Sequence, residues 1–168
     1  MALNFKRILC PVDLSRFSRY ALRLAANIAE NSNSTLYILH VIQNPFDELY
    51  MTPITQADPG AAGLYRDEAS RRAELLQATV EHSEALLKQF CHDWVEQLPK
   101  TRYIVESGDP FEKILDLAET HKIDLIVLAT HGRTGLKRLI IGNVAEKVVR
   151  HAPCPVLTVK GRAGRKRS

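Results

Sequence analysis

The chain has 168 residues, 45% of them hydrophobic and 25% charged. That is one domain with enough apolar content for a sizeable core, which excludes global disorder. No apolar run approaches the roughly 20 residues that span a bilayer. The N-terminus "MALNFKRILCPVD" lacks a signal-peptide core and cleavage site, so the expected location is cytoplasmic. Three cysteines at irregular spacing imply no disulfide framework. The net charge of +4 equals the tail's Arg162, Arg165, Lys166 and Arg167, leaving residues 1–161 formally neutral. A short basic tail is expected to be a disordered, solvated terminus, and no nucleic-acid partner is expected.

"FKRILCPVDLS" reads as a strand ending near Val12, where Pro11 stops regular pairing. Asp13 or Ser15 can cap the next helix, "RFSRYALRLAANIAENS". Its apolar positions Phe17, Ala21, Leu24, Ala25 and Ile28 recur at spacings of three and four. Asparagines 31 and 33 end it. "STLYILHVI" is a second strand, apolar enough to be covered on both faces. Residues 43–64 hold three prolines and two glycines without periodicity, a long loop inserted in the domain. The loop leaves strand two beside Val41 and is expected to fold over a ligand as a lid. From Tyr65 a stripe of Ala69, Ala73, Leu76, Val80, Ser83, Leu87, Phe90 and Trp94 marks a long amphipathic helix.

"TRYIVES" is a third strand. "GDPFEKILDLAETH" carries the clearest helix start, with Asp109 as N-cap and Pro110 in the first position. "KIDLIVLAT" is the fourth strand and the most apolar. "NVAEKVVRHA" is a helix with Val144, Val148 and Val149 inward, and "CPVLTVK" is a fifth strand. Strands alternating with helices give an α/β fold: a doubly wound, five-stranded parallel sheet with helices on both faces, Rossmann-like. Ligands of such sheets bind at the carboxyl ends of the strands, where the strand order reverses. The residues alone leave that order open.

The chemistry concentrates in "LATHGRTGLKRLIIGN". Glycines 132 and 135 allow close backbone approach, and Gly142-Asn143 opens a helix whose N–H groups and dipole favour an anion. Asn143 can donate its amide to a phosphate oxygen, while Arg133, Lys137 and Arg138 add positive charge. Asp13 can accept from ribose hydroxyls, or hold a divalent ion through a bound nucleotide. The competing reading keeps the glycines for the turn, Asn143 as a helix cap and Asp13 as the cap of the preceding helix. Neither a Walker loop nor a G-x-G-x-x-G fingerprint occurs, and no G-x-S-x-G elbow. His131 is read as orienting its loop, and His151 with Cys154 is too sparse for zinc. No catalytic residue and no resident metal site are assigned.

"ILCPVDLSRFSRYALRLAANIA", "HVI", "GDPFEKIL" and "ATHGRTGLKRLIIGNVAEKVVRHAPCPVLTVK" together resemble the universal stress protein family, in its single-domain form, over residues 1–160. That leaves 161–168 as the tail. The nucleotide-binding branch of that family carries G-x2-G-x9-G-[S/T]. Aligned here, Gly132 and Gly142 keep their places, Ala129 stands at the first glycine, and Asn143 stands at the Ser/Thr. Gly135 falls inside the spacer.

The resemblance implies a strand order of 3-2-1-4-5 and a bound adenine nucleotide, ATP or AMP, with Mg or Mn as a possible companion. Pro11, Val12 and Asp13 would line adenine and ribose, and Val41 would meet adenine through its backbone. Leu128, Ala129, Gly132, Arg133, Gly142, Asn143 and Val144 would surround ribose and phosphates. It also implies a stress sensor or regulator, at most a slow ATPase, that forms a homodimer through strand 155–160. The alternative is a branch without nucleotide, acting through protein contacts. An adenylating enzyme of the ATP-pyrophosphatase class would need a Ser/Gly-rich loop after strand one, which "PVDLSRFS" is not.

Overall fold

The computed structural model describes residues 5–42, 62–130 and 142–160, with backbone alone at 62–69. Along the chain run β1 (Arg7–Pro11), α1 (Arg16–Ser32), β2 (Thr35–Ile42) and α2 (Ala62–Val95). Then follow β3 (Thr101–Ser107), α3 (Pro110–Thr120), β4 (Leu125–Ala129), α4 (Asn143–His151) and β5 (Val156–Val159). The five strands form one parallel sheet in the order β3-β2-β1-β4-β5. The expected fold and strand order are therefore what the chain adopts. From β1 the chain first builds outward through β2 and β3, then crosses back to place β4 on β1's other side. The switch between β1 and β4 opens a crevice at their carboxyl ends.

Alternation along each strand divides the interior into two cores. Ile8, Cys10, Leu36, Ile38, Leu125 and Val127 face α1 and α2. Leu9, Leu39, Ile126 and Leu128 face α3 and α4. Both faces are covered, which is why the strands read as continuous apolar runs. On α1 the contact stripe is mostly alanine (Ala21, Ala25, Ala26 and Ala29), so the helix axis can lie close over the sheet.

Several helix faces differ from expectation. On α1, Leu22, Ala26 and Ala29 are buried, while Leu24 is 37% exposed beside Trp94. Of the expected stripe Ala21 and Ala25 are fully buried and Ile28 packs against the core, but the buried face is centred toward Leu22 and Ala26, which leaves Leu24 out. On α4, Ala145 and Val148 are buried and Val149 is 47% exposed. That helix rests on α3 and β5, and Val149 lies on its far side. Helix α2 begins at Ala62, three residues before the periodicity predicts. Among the described side chains of its stripe only Ser83 and Leu87 are buried, joined by Cys91 and Val95, with Phe90 and Trp94 half-buried. Residues 70–82, including Ala73, Leu76 and Val80, contain no buried side chain.

The helix ends follow their chemistry. Ser15 caps α1, its Oγ accepting from the Phe17 and Ser18 amides at 3.2 Å each. Asn33 closes the helix in the left-handed conformation at φ 52°, where asparagine is tolerated. Asp109 caps α3, Oδ1 accepting from the Phe111 amide at 2.8 Å and the Glu112 amide at 3.1 Å. Pro110 occupies the first turn, as its missing N–H allows. Most of the 43–64 loop and all of the 161–168 tail lie outside the described residues.

Candidate functional site

A cavity of about 280 Å³ lies in the crevice between the carboxyl ends of β1 and β4. That is near the lower end of the roughly 300–1,000 Å³ typical of small-molecule sites. Its walls bring together segments far apart in sequence. Pro11, Val12 and Asp13 come from the end of β1, and Val41 from β2. Leu128 and Ala129 close β4, and Gly142, Asn143 and Val144 open α4. Every expected site residue within the described chain thus lines one cavity. Gly132, Arg133, Gly135 and His131 lie outside the described residues.

The cavity also has walls that went unpredicted. Leu39 lies two residues before Val41 and shares its face of the sheet, so period-two reading of β2 could have found it. Pro110 and Ile114 are one turn apart on α3, and their helix start was read only as a cap. Ser18, Thr130 and Ala145 complete the lining. No sequence signal marks these three, since only the crossing of α1, β4 and α4 assembles them.

The strand-to-helix turn after β1 is held tightly. The Val12 amide donates to the Leu39 carbonyl at 2.8 Å. The Asp13 carboxylate accepts from the Ser15 amide at 3.0 Å, and Ser18 Oγ donates to the Ser15 carbonyl at 3.0 Å. Capping therefore belongs to Ser15, with Asp13 bracing the turn from within the cavity wall. Leu14, between them, has φ 61°, the left-handed region that costs an L-residue of order 1 kcal/mol.

Opposite, the Thr130 amide continues the sheet by donating to the Val159 carbonyl at 3.0 Å. The Thr130 carbonyl then accepts from the Gly142 amide at 2.6 Å. This bond brings the start of α4 back against the end of β4. Gly142 is the N-cap of α4 and supplies no side-chain cap bond. Asn143 is the first helical residue and is exposed, so it does not cap the helix as one reading of the sequence had it. The amides of Asn143, Val144 and Ala145 have no intrahelical acceptor by helix geometry, and all three residues line the cavity. That is an arrangement suited to an anionic group.

Chemically the cavity is an aliphatic slot with a polar rim. Pro11, Val12, Leu39, Val41, Ile114 and Leu128 give flat apolar walls. Asp13 is the only ionisable side chain among the described lining residues. The start of α4 forms another part of the lining. A ligand that fits both would carry an apolar planar part, hydroxyls for Asp13, and an anion for the helix. Among the described residues, no group of three His, Cys, Asp or Glu side chains could hold a metal ion. Nor is any helix there long and apolar enough to cross a membrane.

Comparison with known proteins adds a lineage to this geometry. Universal stress protein MJ0531 of Methanocaldococcus jannaschii is 33% identical over 157 residues, 93% of this chain and 82% of that protein. The structure of universal stress protein UspA from Lactobacillus plantarum matches at a TM-score of 0.70 and 28% identity, over 94% of this chain and 99% of that one. A universal stress protein family protein from Arabidopsis thaliana, solved with AMP bound, shares the fold at a TM-score of 0.57 and 19% identity. That match covers 94% of this chain and 93% of the other. Residues 4–160 match the universal stress protein family, to which this chain belongs.

Proposed function

We propose that this stress protein binds an adenine nucleotide, ATP or AMP, in the β1/β4 crevice and acts as a sensor or regulator. The observation that carries this reading is the cavity itself. It lies at the topological switch point and gathers the apolar slot, the Asp13 carboxylate and the uncapped start of α4. In this assignment adenine lies between the β1 and β2 residues Pro11, Val12 and Val41. Ribose hydroxyls donate to Asp13. Phosphates meet the α4 amides and the Asn143 side chain, with Gly132 and Arg133 from the preceding loop. The Arabidopsis thaliana relative described with AMP bound makes nucleotides the ligand class to test first.

No general base is assigned, and the activity proposed is binding rather than turnover. A divalent ion such as Mg or Mn would enter only with the nucleotide, with Asp13 as the one described lining residue that could hold it and neutralise phosphate charge. The edge strand β5, with Leu157 and Thr158 exposed, is proposed to pair with a second copy across a two-fold axis.

The rival reading is a stress protein without nucleotide, acting through protein contacts. It is favoured by Ala129 and Asn143, which replace the Gly and the Ser/Thr of the branch's binding pattern. Two measurements separate the readings. Mass spectrometry of gently purified protein is expected to find ATP, ADP or AMP. Calorimetric titration is expected to show ATP binding that Gly132→Val abolishes, and that Ala129→Gly with Asn143→Ser preserves or tightens. A protein that purifies without nucleotide and gives no heat with ATP or AMP, even after Ala129→Gly and Asn143→Ser, belongs to the rival class.

A further inference from the structure

His40 sits near the end of β2, is only 6% exposed, and is the one buried histidine among the described residues. It does not line the cavity, whereas its neighbours Leu39 and Val41 do. Alternation turns His40 to the opposite face of the sheet, the face that carries Ile38 against α1 and α2. A buried imidazole there needs a partner, since leaving a buried polar group unpaired costs about 1–3 kcal/mol. Its partner is the Val12 carbonyl, 2.8 Å from Nδ1. A carbonyl only accepts, so Nδ1 carries the proton in this bond, which selects the Nδ1–H tautomer of the imidazole.

This bond acts on the strained turn. Val12 is gripped twice from β2, its amide by the Leu39 carbonyl and its carbonyl by His40. Two residues later Leu14 stands in the left-handed region. Such a conformation persists only where neighbouring contacts over-determine it. The two grips on Val12 set the path by which the chain leaves β1, and so the place of Asp13 in the cavity wall.

We propose that His40 is a positioning residue for the crevice: by holding the Val12 carbonyl from behind the sheet, it presents Val12 and Asp13 to the bound nucleotide. It rests on the nucleotide reading given under Proposed function, and it adds a group that touches no ligand.

Two measurements test it. Nitrogen NMR of the imidazole, above its titration range, is expected to show His40 protonated at Nδ1. A ring protonated at Nε2 overturns the proposal. ATP titrations of wild type, His40→Ala, His40→Asn and His40→Gln are run beside urea unfolding. His40→Ala is expected to bind at least about tenfold more weakly, the order of one lost buried hydrogen bond. His40→Asn, whose amide nitrogen stands one carbon from Cβ as Nδ1 does, is expected to recover most of that loss. His40→Gln, one bond longer, is expected to recover less.

A folded His40→Ala with wild-type affinity overturns the proposal. So does His40→Asn binding no better than His40→Gln, the comparison that decides if His40→Ala fails to fold. If wild type binds no ATP, the titrations are run with AMP, and if neither binds, even after Ala129→Gly with Asn143→Ser, the nucleotide reading fails. The tautomer, and the amide shifts of Val12 to Ser15 in the variants, then still decide the hold of His40 on the turn.

Discussion

Gly142 is a glycine for reasons of distance rather than conformation. Its φ is −71°, open to any residue, but a Cβ there would meet the Thr130 carbonyl oxygen at 3.1 Å. The same oxygen accepts the Gly142 amide, so the two backbones cannot part without losing that bond. Gly142→Ala should therefore cost about 1–3 kcal/mol by crowding, read as a lower urea midpoint. Wild-type stability in that variant would show that the β4 end yields freely. The sequence marks Gly142 through its place before a helix, but its contact with Thr130 spans a loop that no local pattern measures.

The two core cysteines make a second residue-scale case. Cys10 on β1 and Cys91 on α2 are both buried in the core between sheet and helices, and burial pushes both thiols up, Cys91 from 9.0 to about 12. The folded state thus keeps protons that the unfolded chain releases above its ordinary thiol value. Their contribution to stability is present below about pH 9 and is lost as pH rises further, at about 1.4 kcal/mol per pH unit for each thiol. Urea unfolding across that range should show the decline, and Cys91→Ala should remove its share of the slope. An unchanged slope in Cys91→Ala would contradict this account. In the native state neither thiol should react with a bulky disulfide reagent at neutral pH.

At the scale of the element, helices were legible as helices but not always by face. The α1 pattern admits two neighbouring phases, and Leu24 looks as good a core residue as Leu22. The sheet decides: Leu22 is fully buried and Leu24 is more than a third exposed. Leu22→Ala should cost about 2–5 kcal/mol, and Leu24→Ala only a few tenths. Equal losses in urea unfolding would return the helix to the phase that its spacing first suggested. Arg23 contributes to the choice, its guanidinium lying 5.7 Å from the Trp94 ring centroid on α2. Caps were the opposite case. Asp109 and Asn33 do what their chemistry predicts, because a cap depends on two or three residues of chain and on nothing farther away. The stripe of α2 misled for a third reason. A periodic apolar face records that a helix is amphipathic, not which of its turns are covered.

For the whole molecule, the order β3-β2-β1-β4-β5 leaves β5 at an edge, with its final strand too apolar for comfortable exposure to water. The proposed dimer predicts twice the chain mass in sedimentation equilibrium. Leu157→Lys on that strand should shift the mass to one chain with little change in helix content. A monomeric wild type would remove the proposal.

By itself the sequence determined the alternation of strands and helices, the parallel sheet, the caps and the stretch where chemistry concentrates. These are set by periodicity and by short-range hydrogen bonding, both local. Strand order came only through family resemblance, since nothing in one strand's residues names its neighbour. The tertiary structure decided the rest. It set the phase of α1, the extent of α2's buried face, and the walls that Pro110, Ile114 and Thr130 add to the cavity. It also placed the His40 ring against Val12, 28 residues earlier in the chain. Each of these is a contact between segments whose separation depends on how the sheet twists and the helices cross. That geometry arises when all the elements pack at once, and no window of sequence contains it.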